Sequence, residues 1–226
     1  MNAINHAVTA LVLKKYSPAT PLITLLISVQ LIEIVWVILN ITGIEVTIMD
    51  PEVHSLANVH LAHMPFSHSV IFTLLWAALG WLLVAKIFRR PQWGLMVFIG
   101  ICSHIVLDIA THVQDIEFIP FLGWPEIGSG LYGVPVMALV VEIIYSVFCW
   151  KLLRGQLLML ISLMVLQLFS LTFYVPQLTG METLFEEWPQ LFAPVIGVHI
   201  IFGLVAVGFL YHLEQRKRQQ MTEVCP

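Results

Sequence analysis

The chain has 226 residues, of which 59% are hydrophobic and only 11% are charged. Soluble domains carry about 25% charged residues, so this composition excludes an ordinary soluble domain and predicts an integral membrane protein. The net charge of −4 points to no charged partner, and the basic tail near the C-terminus is too short to predict nucleic-acid binding.

The apolar stretches predict an all-α, polytopic transmembrane helix bundle. The first, residues 3–13, would be about 16 Å long as a helix, too short to cross the membrane core, so we expect a short half-inserted or re-entrant helix. Six full spans follow at about 18–44, 67–88, 92–113, 131–153, 156–175 and 191–212. We expect them to form a single integral membrane domain over residues 1–226, with additional spans at 146–213 and a basic tail at 214–226.

The basic residues predict the orientation of this bundle. All ten Lys and Arg lie in four segments, 14–15, 86–90, 151–154 and 216–218. With six spans these segments fall on one side, and the positive-inside rule makes that side, including the C-terminus, cytoplasmic. The connections 45–66, 114–130 and 176–190 then face outward.

Ionisable side chains follow one face of the predicted span 92–113. His104, Asp108 and His112 have the spacing i, i+4 and i+8, and Asp115 follows near the same face. Such groups at membrane depth are costly unless they are paired, bind a metal or face a wet cavity. Imidazole and carboxylate groups in this arrangement are typical of half a metal site.

The remaining ligands are expected from other segments that place ionisable groups in the outer half of the membrane. We predict His63, His68, His104 and Asp108 as metal ligands, with Glu33 or His6 completing the shell or acting as general base. Additional or supporting residues are expected to be His112, Asp115, Ser67, Ser69 and Glu142. For Glu142 a plain helix–helix contact is equally compatible with the sequence. His199 and His212 are interpreted as interhelical contacts, and His54 and His60 as loop residues.

Two of these motifs carry a family resemblance. The segments His63-Met-Pro-Phe-Ser-His-Ser69 and Ser103-His-Ile-Val-Leu-Asp108, preceded by His6 and Glu33, resemble the bacterial and archaeal inner-membrane proteins described as membrane-bound metal-dependent hydrolases of the LexA-regulated type. The resemblance covers residues 1–145. It departs from the family pattern at Glu33, which has no Pro-Asp pair beside it, and at Met64, where a basic residue is common.

The resemblance and the ligand pattern together predict a metal-dependent hydrolase of the bacterial or archaeal inner membrane, with its site toward the outer face. Zinc suits mixed nitrogen and carboxylate ligands best, with manganese or iron as alternatives. A site at headgroup depth predicts contact with membrane lipid and a lipid-borne ester or phosphoester as substrate. Two other hypotheses stay open: a transporter or ion-translocating protein, and a non-catalytic protein with a structural metal or polar network.

Overall fold

A computed structural model of the protein, which describes residues 1–50 and 58–224, is an all-α membrane bundle. Within those residues, five helices are long and apolar enough to cross a membrane. They are α2 (Leu22–Ile41), α3 (Val70–Ile87), α4 (Pro91–Ile109), α5 (Pro135–Leu153) and α9 (Phe192–Val224), with α1 (Ala3–Tyr16) preceding them. The predicted fold class is confirmed. Glu52 and His54 lie outside the described residues.

The span predicted at 156–175 forms a shorter apolar helix than the other five. Instead of one helix over 156–175, the chain forms α6 (Leu157–Phe169), then the single turn α7 (Leu171–Tyr174). The backbone N–H of Ser170, which caps α6, bonds to Gln167 O, so the first helix ends there. A further short helix, α8 (Met181–Glu187), precedes α9.

The short helix predicted at the N-terminus is α1, and it lies at the centre of the bundle. Its residues 3–11 are all buried, and it contacts α2, α4, α5 and α9. The Asn2 side chain caps it by accepting from the backbone N–H of Asn5 at 3.0 Å, and Lys14 and Lys15 in the last turn suit the negative end of the helix dipole. Because neighbouring helices enclose it, α1 can end within the membrane without exposing its backbone to lipid.

The connection 45–66 contains a β-ribbon that periodicity did not indicate. Strand β1 (Val46–Met49) pairs antiparallel with β2 (Val59–His63), with Val46 opposite His63. The backbone N–H of Val70, the first residue of α3, then bonds to Glu117 O at 3.0 Å. The ribbon and the loop 114–130 therefore lie at the same end of the bundle.

Basic residues gather at the opposite end. The Lys15 Nζ group donates to Leu152 O, and Lys14, Arg154 and Glu214 line one cleft with Lys15. The segments 14–15 and 151–154 and the distal part of α9 thus meet on one side of the bundle, as the charge pattern predicts.

A close crossing of α2 and α4 sets the spacing of the site described below. A Cβ atom placed on Gly100 would lie 3.0 Å from Ser28 Cβ and closer still to its Oγ. Replacing Gly100 with Ala should therefore force the two helices apart and lower the free energy of unfolding by about 1–3 kcal/mol. Gly133→Ala is the matched control, because a Cβ there meets nothing within 4 Å. Thermal unfolding in detergent measures the difference, and equal stability of the two variants would contradict this packing.

Candidate metal centre

Three segments bring imidazole and carboxylate groups together at the end of the bundle opposite the basic residues. Glu33 comes from α2, His68 from the turn before α3, and His104 and Asp108 from successive turns of α4. The side chains of His68, His104 and Asp108 are almost completely buried, whereas that of Glu33 keeps 23% of its surface exposed. The site is thus buried in protein and accessible on the side of Glu33.

The carboxylates of Glu33 and Asp108 each lie close to both imidazoles, His68 and His104. Glu33 Oε2 lies 3.1 Å from His68 Nε2 and 3.5 Å from His104 Nε2. Asp108 Oδ2 lies 3.0 Å from His104 Nε2 and 4.0 Å from His68 Nε2. Ligands about 2.1 Å from a tetrahedral ion are about 3.4 Å from one another, so these separations suit a single transition-metal ion.

Two of these atoms lack hydrogen-bond partners. His104 Nε2 and Asp108 Oδ2 are buried, and neither makes a hydrogen bond to any described residue, although they face each other. Buried polar groups without partners are rare and costly. A metal site without its ion has this same feature, namely buried ligand atoms that lie close together and make no hydrogen bonds.

A backbone carbonyl fixes the tautomer of His104. His104 Nδ1 lies 2.7 Å from Val29 O, and since a carbonyl can only accept, Nδ1 carries the proton. When the ring is neutral, this tautomer presents an unprotonated Nε2 to the site. Two metal-compatible groups share His104, one with Glu33 and His68 and the other with His6 and Asp108. Because one lone pair binds one ion, the two groups can hold only one ion between them through that nitrogen.

His68 is fixed in the same way through a hydroxyl and a carboxylate. Ser67 Oγ donates to Glu45 Oε2 at 2.5 Å, so it can accept from His68 Nδ1 at 3.0 Å. Glu45 Oε1 in turn accepts the backbone N–H groups of Phe66 and Ser67, both at 2.8 Å. With its proton on Nδ1, the neutral ring presents Nε2 to the site, 3.1 Å from Glu33 Oε2. Ser67 thus contacts His68, the ligand that the sequence predicts beside it.

Glu45 is the residue that sequence reasoning missed. It precedes β1 in a connection with several acidic residues, and nothing in its spacing separates it from them. In the structure it is 1% exposed. Its burial comes from the fold of the ribbon. The only hint of that burial in the sequence is that apolar residues flank this acid in the connection.

His6 lies behind Asp108. Its Nε2 is 3.2 Å from Asp108 Oδ1, and its ring stacks on His104 with centroids 4.0 Å apart. The amino group of Met1 also lies 2.6 Å from Asp108 Oδ1. His6 therefore orients the carboxylate from α1, and through the group it forms with His104 and Asp108 it is also within reach of an ion.

Three predicted residues lie apart from this cluster. His63 is exposed at the end of β2, where its ring meets that of Phe121. Ser69 caps α3 and donates to Pro65 O at 2.7 Å. Glu142, completely buried on α5, belongs to a separate polar network.

The Glu142 network joins α1 to α5 and α7. Glu142 accepts from the Asn2 backbone N–H at 2.9 Å, from Tyr174 Oη at 2.6 Å and from Asn5 Nδ2. Gln167 on α6 extends it, donating to Asn5 Oδ1 at 3.0 Å. Both sequence interpretations of Glu142 thus apply in part: the contact joins helices, and it also holds the helix that carries His6.

A small cleft, with a volume of about 90 Å³ and partly open to solvent, leads to the cluster. His112 and Asp115 line it, with His112 Nδ1 3.4 Å from Asp115 Oδ1 and its ring 6.1 Å from that of His68. Tyr132 forms another part of the wall, and burial, assisted by the charge of Glu142, raises its pKa, so its phenol stays protonated. These side chains form the polar part of the cleft wall.

A comparison with known protein families assigns the chain to one of them. The family model of the YdjM inner membrane proteins matches residues 7–178, more than half of the chain. The protein belongs to this family. No curated protein and no solved structure matches it. Together with the five apolar helices, the family makes the chain an integral inner-membrane protein. The matched segment contains Glu33, Glu45, His68, His104 and Asp108, whereas His6 lies just before it.

The Glu45 relay predicts a specific effect on metal affinity. Gln at position 45 keeps an oxygen for the two backbone N–H groups but presents an amide that cannot accept from Ser67 Oγ, so His68 loses its fixed tautomer. We expect Glu45→Gln to weaken zinc affinity by about 10- to 100-fold, measured by competition with a chelator. Asp50→Asn, on the same ribbon but half exposed, is the control. Equal affinities of the Glu45 variant and the native protein would rule out the relay.

Proposed function

We propose that this protein is a membrane-embedded, metal-dependent hydrolase that acts on a lipid-borne ester or phosphoester. The observation that carries this proposal is that carboxylate oxygens of Glu33 and Asp108 each lie within 4.0 Å of the Nε2 atoms of both His68 and His104, with each imidazole anchored through its Nδ1. We assign these four residues as ligands of one divalent ion. His6 acts from behind, as the residue that positions Asp108.

The donor set suits zinc, and manganese or iron are the alternatives. When bound, such an ion lowers the pKa of a water molecule to about 7 and polarises an ester oxygen. Glu33 is the ligand closest to the open side of the site. His112, held by Asp115 on the cleft wall, is the side chain that we assign to proton transfer.

The walls of the cleft support a lipid-like substrate. Apart from the polar side chains near the ligands, the cleft is lined by Phe173, Phe192, Ile196 and Val59. Apolar walls around a few convergent polar groups are typical of sites for small apolar ligands. The site lies at the end of the bundle opposite the basic segments, where headgroup and acyl chain meet.

The experiment that tests this function is metal analysis of the detergent-purified protein, followed by a screen of lipid phosphoesters and carboxylic esters. We expect about one equivalent of zinc, manganese or iron per chain, lost in His104→Ala and Asp108→Ala because each removes a ligand. His63→Ala is the control: it should keep the metal, because His63 lies outside the cluster. Circular dichroism confirms that the variants stay folded.

A folded native protein that takes up none of these metals would contradict the proposal. That result would favour the transporter or the polar-network hypothesis. Loss of metal from His63→Ala together with retention in His104→Ala would instead place the centre elsewhere.

We also propose that the basic end of the bundle and the C-terminus are cytoplasmic, so that the site faces outward. The ten Lys and Arg residues on one side support this orientation. Green fluorescent protein fused after α9 should therefore fluoresce, and alkaline phosphatase fused there should be inactive. Phosphatase inserted after Gly180, in the connection before α8, should be active. The reverse pattern would invert the topology.

A further inference from the structure

Besides the metal ligands, the cleft wall carries the side chains of Trp36 and His199, each with a buried nitrogen that makes no hydrogen bond to a described residue. Trp36 comes from α2 and His199 from α9, and both line the cleft. Trp36 Nε1 and His199 Nε2 are buried, and neither makes a hydrogen bond to the part of the chain that the structure describes. Buried donors are normally satisfied, so each of these atoms requires an explanation.

Trp36 is the clearer case. Its side chain is only 2% exposed, and an indole N–H can donate but cannot accept. Two other tryptophans show how this protein treats that group elsewhere: Trp76 Nε1 donates to Phe66 O at 2.8 Å, and Trp150 Nε1 donates to Gln156 O at 3.0 Å. Trp36 Nε1 has no such partner among the described residues, and Trp36 lies in the wall of the cleft. What it lacks is an acceptor atom, and the cleft is where a ligand would supply one.

His199 presents a second such group. Its ring packs edge-on against Phe173, with centroids 5.1 Å apart, and this contact leaves Nε2 without a protein partner among the described residues. The interhelical hydrogen bond that the sequence suggests for His199 is not made through Nε2. With its proton on Nε2, the ring is a donor like Trp36.

Helix packing brings these two donors to the same wall. Helices α2 and α9 approach closely at Gly197, where an added Cβ would lie 3.3 Å from Val37 Cγ1. Val37 follows Trp36 directly, and Gly197 lies two residues before His199. The Trp36 ring is also edge-on to that of the ligand His68, with centroids 6.2 Å apart. The donor pair therefore lies beside the candidate metal position.

We propose that Trp36 and His199 bind an oxygen of the substrate's ester group, phosphoryl or acyl, next to the metal ligands. This inference rests on the proposed function for the identity of the substrate. Its physical basis is a pair of hydrogen-bond donors fixed in a water-poor cleft, which stabilises negative charge on an acceptor oxygen without reorganising. An acyl carbonyl and a phosphoryl group both offer such an oxygen.

The test uses the full-length protein in detergent and three probes. Dihexanoylphosphatidate carries both kinds of oxygen, dihexanoylglycerol only the acyl esters, and inorganic phosphate only the phosphoryl group. We expect Trp36→Phe and His199→Phe each to weaken binding of dihexanoylphosphatidate by about tenfold in calorimetry, because each loses one donor in a desolvated site. A further variant, His199→Gln, keeps a hydrogen-bond donor at position 199 and should retain most of the native affinity.

The control is Trp150→Phe, which also loses an indole N–H but at the far end of α5. It should bind the probe within twofold of the native protein. If Trp36→Phe weakens binding of dihexanoylglycerol to the same extent, the bound oxygen belongs to the acyl ester. If it weakens binding of inorganic phosphate instead, the bound oxygen belongs to the phosphoryl group. Native affinity in both variants at positions 36 and 199, or no binding of any probe to the native protein, would overturn the proposal.

Metal analysis of the same samples separates this proposal from the proposed function. Trp36→Phe and His199→Phe should keep the native metal content, because neither residue is assigned as a ligand. Loss of probe binding in a protein that never binds metal would uphold the donor pair and refute the hydrolase. Normal metal content with unchanged probe binding in the variants would refute the donor pair alone.

Discussion

The cost of burying ionisable groups in a membrane bundle governs the arrangement at the end of the bundle that holds the candidate centre. Asp108 and His104 lie one turn apart on α4 and are almost fully buried, so each needs a partner that offsets its desolvation. Protein groups satisfy only part of that need: Val29 O takes the Nδ1 proton of His104, and His6 reaches one oxygen of Asp108. The atoms that remain, His104 Nε2 and Asp108 Oδ2, face inward together.

A second buried network holds the helix from which His6 projects. Glu142 collects donors from Asn2, Asn5 and Tyr174, and so ties the start of α1 to α5 and α7. Because α1 is enclosed by neighbouring helices, its polar residues have no water to turn to and must be satisfied by protein. Amide and hydroxyl partners do this without a net charge beyond that of Glu142. The result is a rigid inner wall behind the candidate centre.

Helix α2 connects the metal ligands to the substrate side of the cleft. Gln30, Glu33 and Trp36 recur every third residue, which places them on one helical face, and all three line the cleft. Glu33 points its carboxylate at two imidazoles, whereas Trp36 presents an unsatisfied donor one turn further along. One helix thus supplies groups to the ion and to the oxygen that we propose it acts upon.

The sequence by itself determined the membrane class, most of the helices and the pair His104 and Asp108, because hydropathy and i, i+4 spacing are local properties. It also grouped His68 with them by motif. The sequence predicts both His63 and His68 as ligands; only the tertiary structure separates them, because it leaves His63 exposed at the end of the ribbon and buries His68 beside His104. Glu45 and Trp36 became visible only there as well. Their roles depend on which groups the fold buries opposite them, and burial across separate segments leaves no periodic trace in the chain.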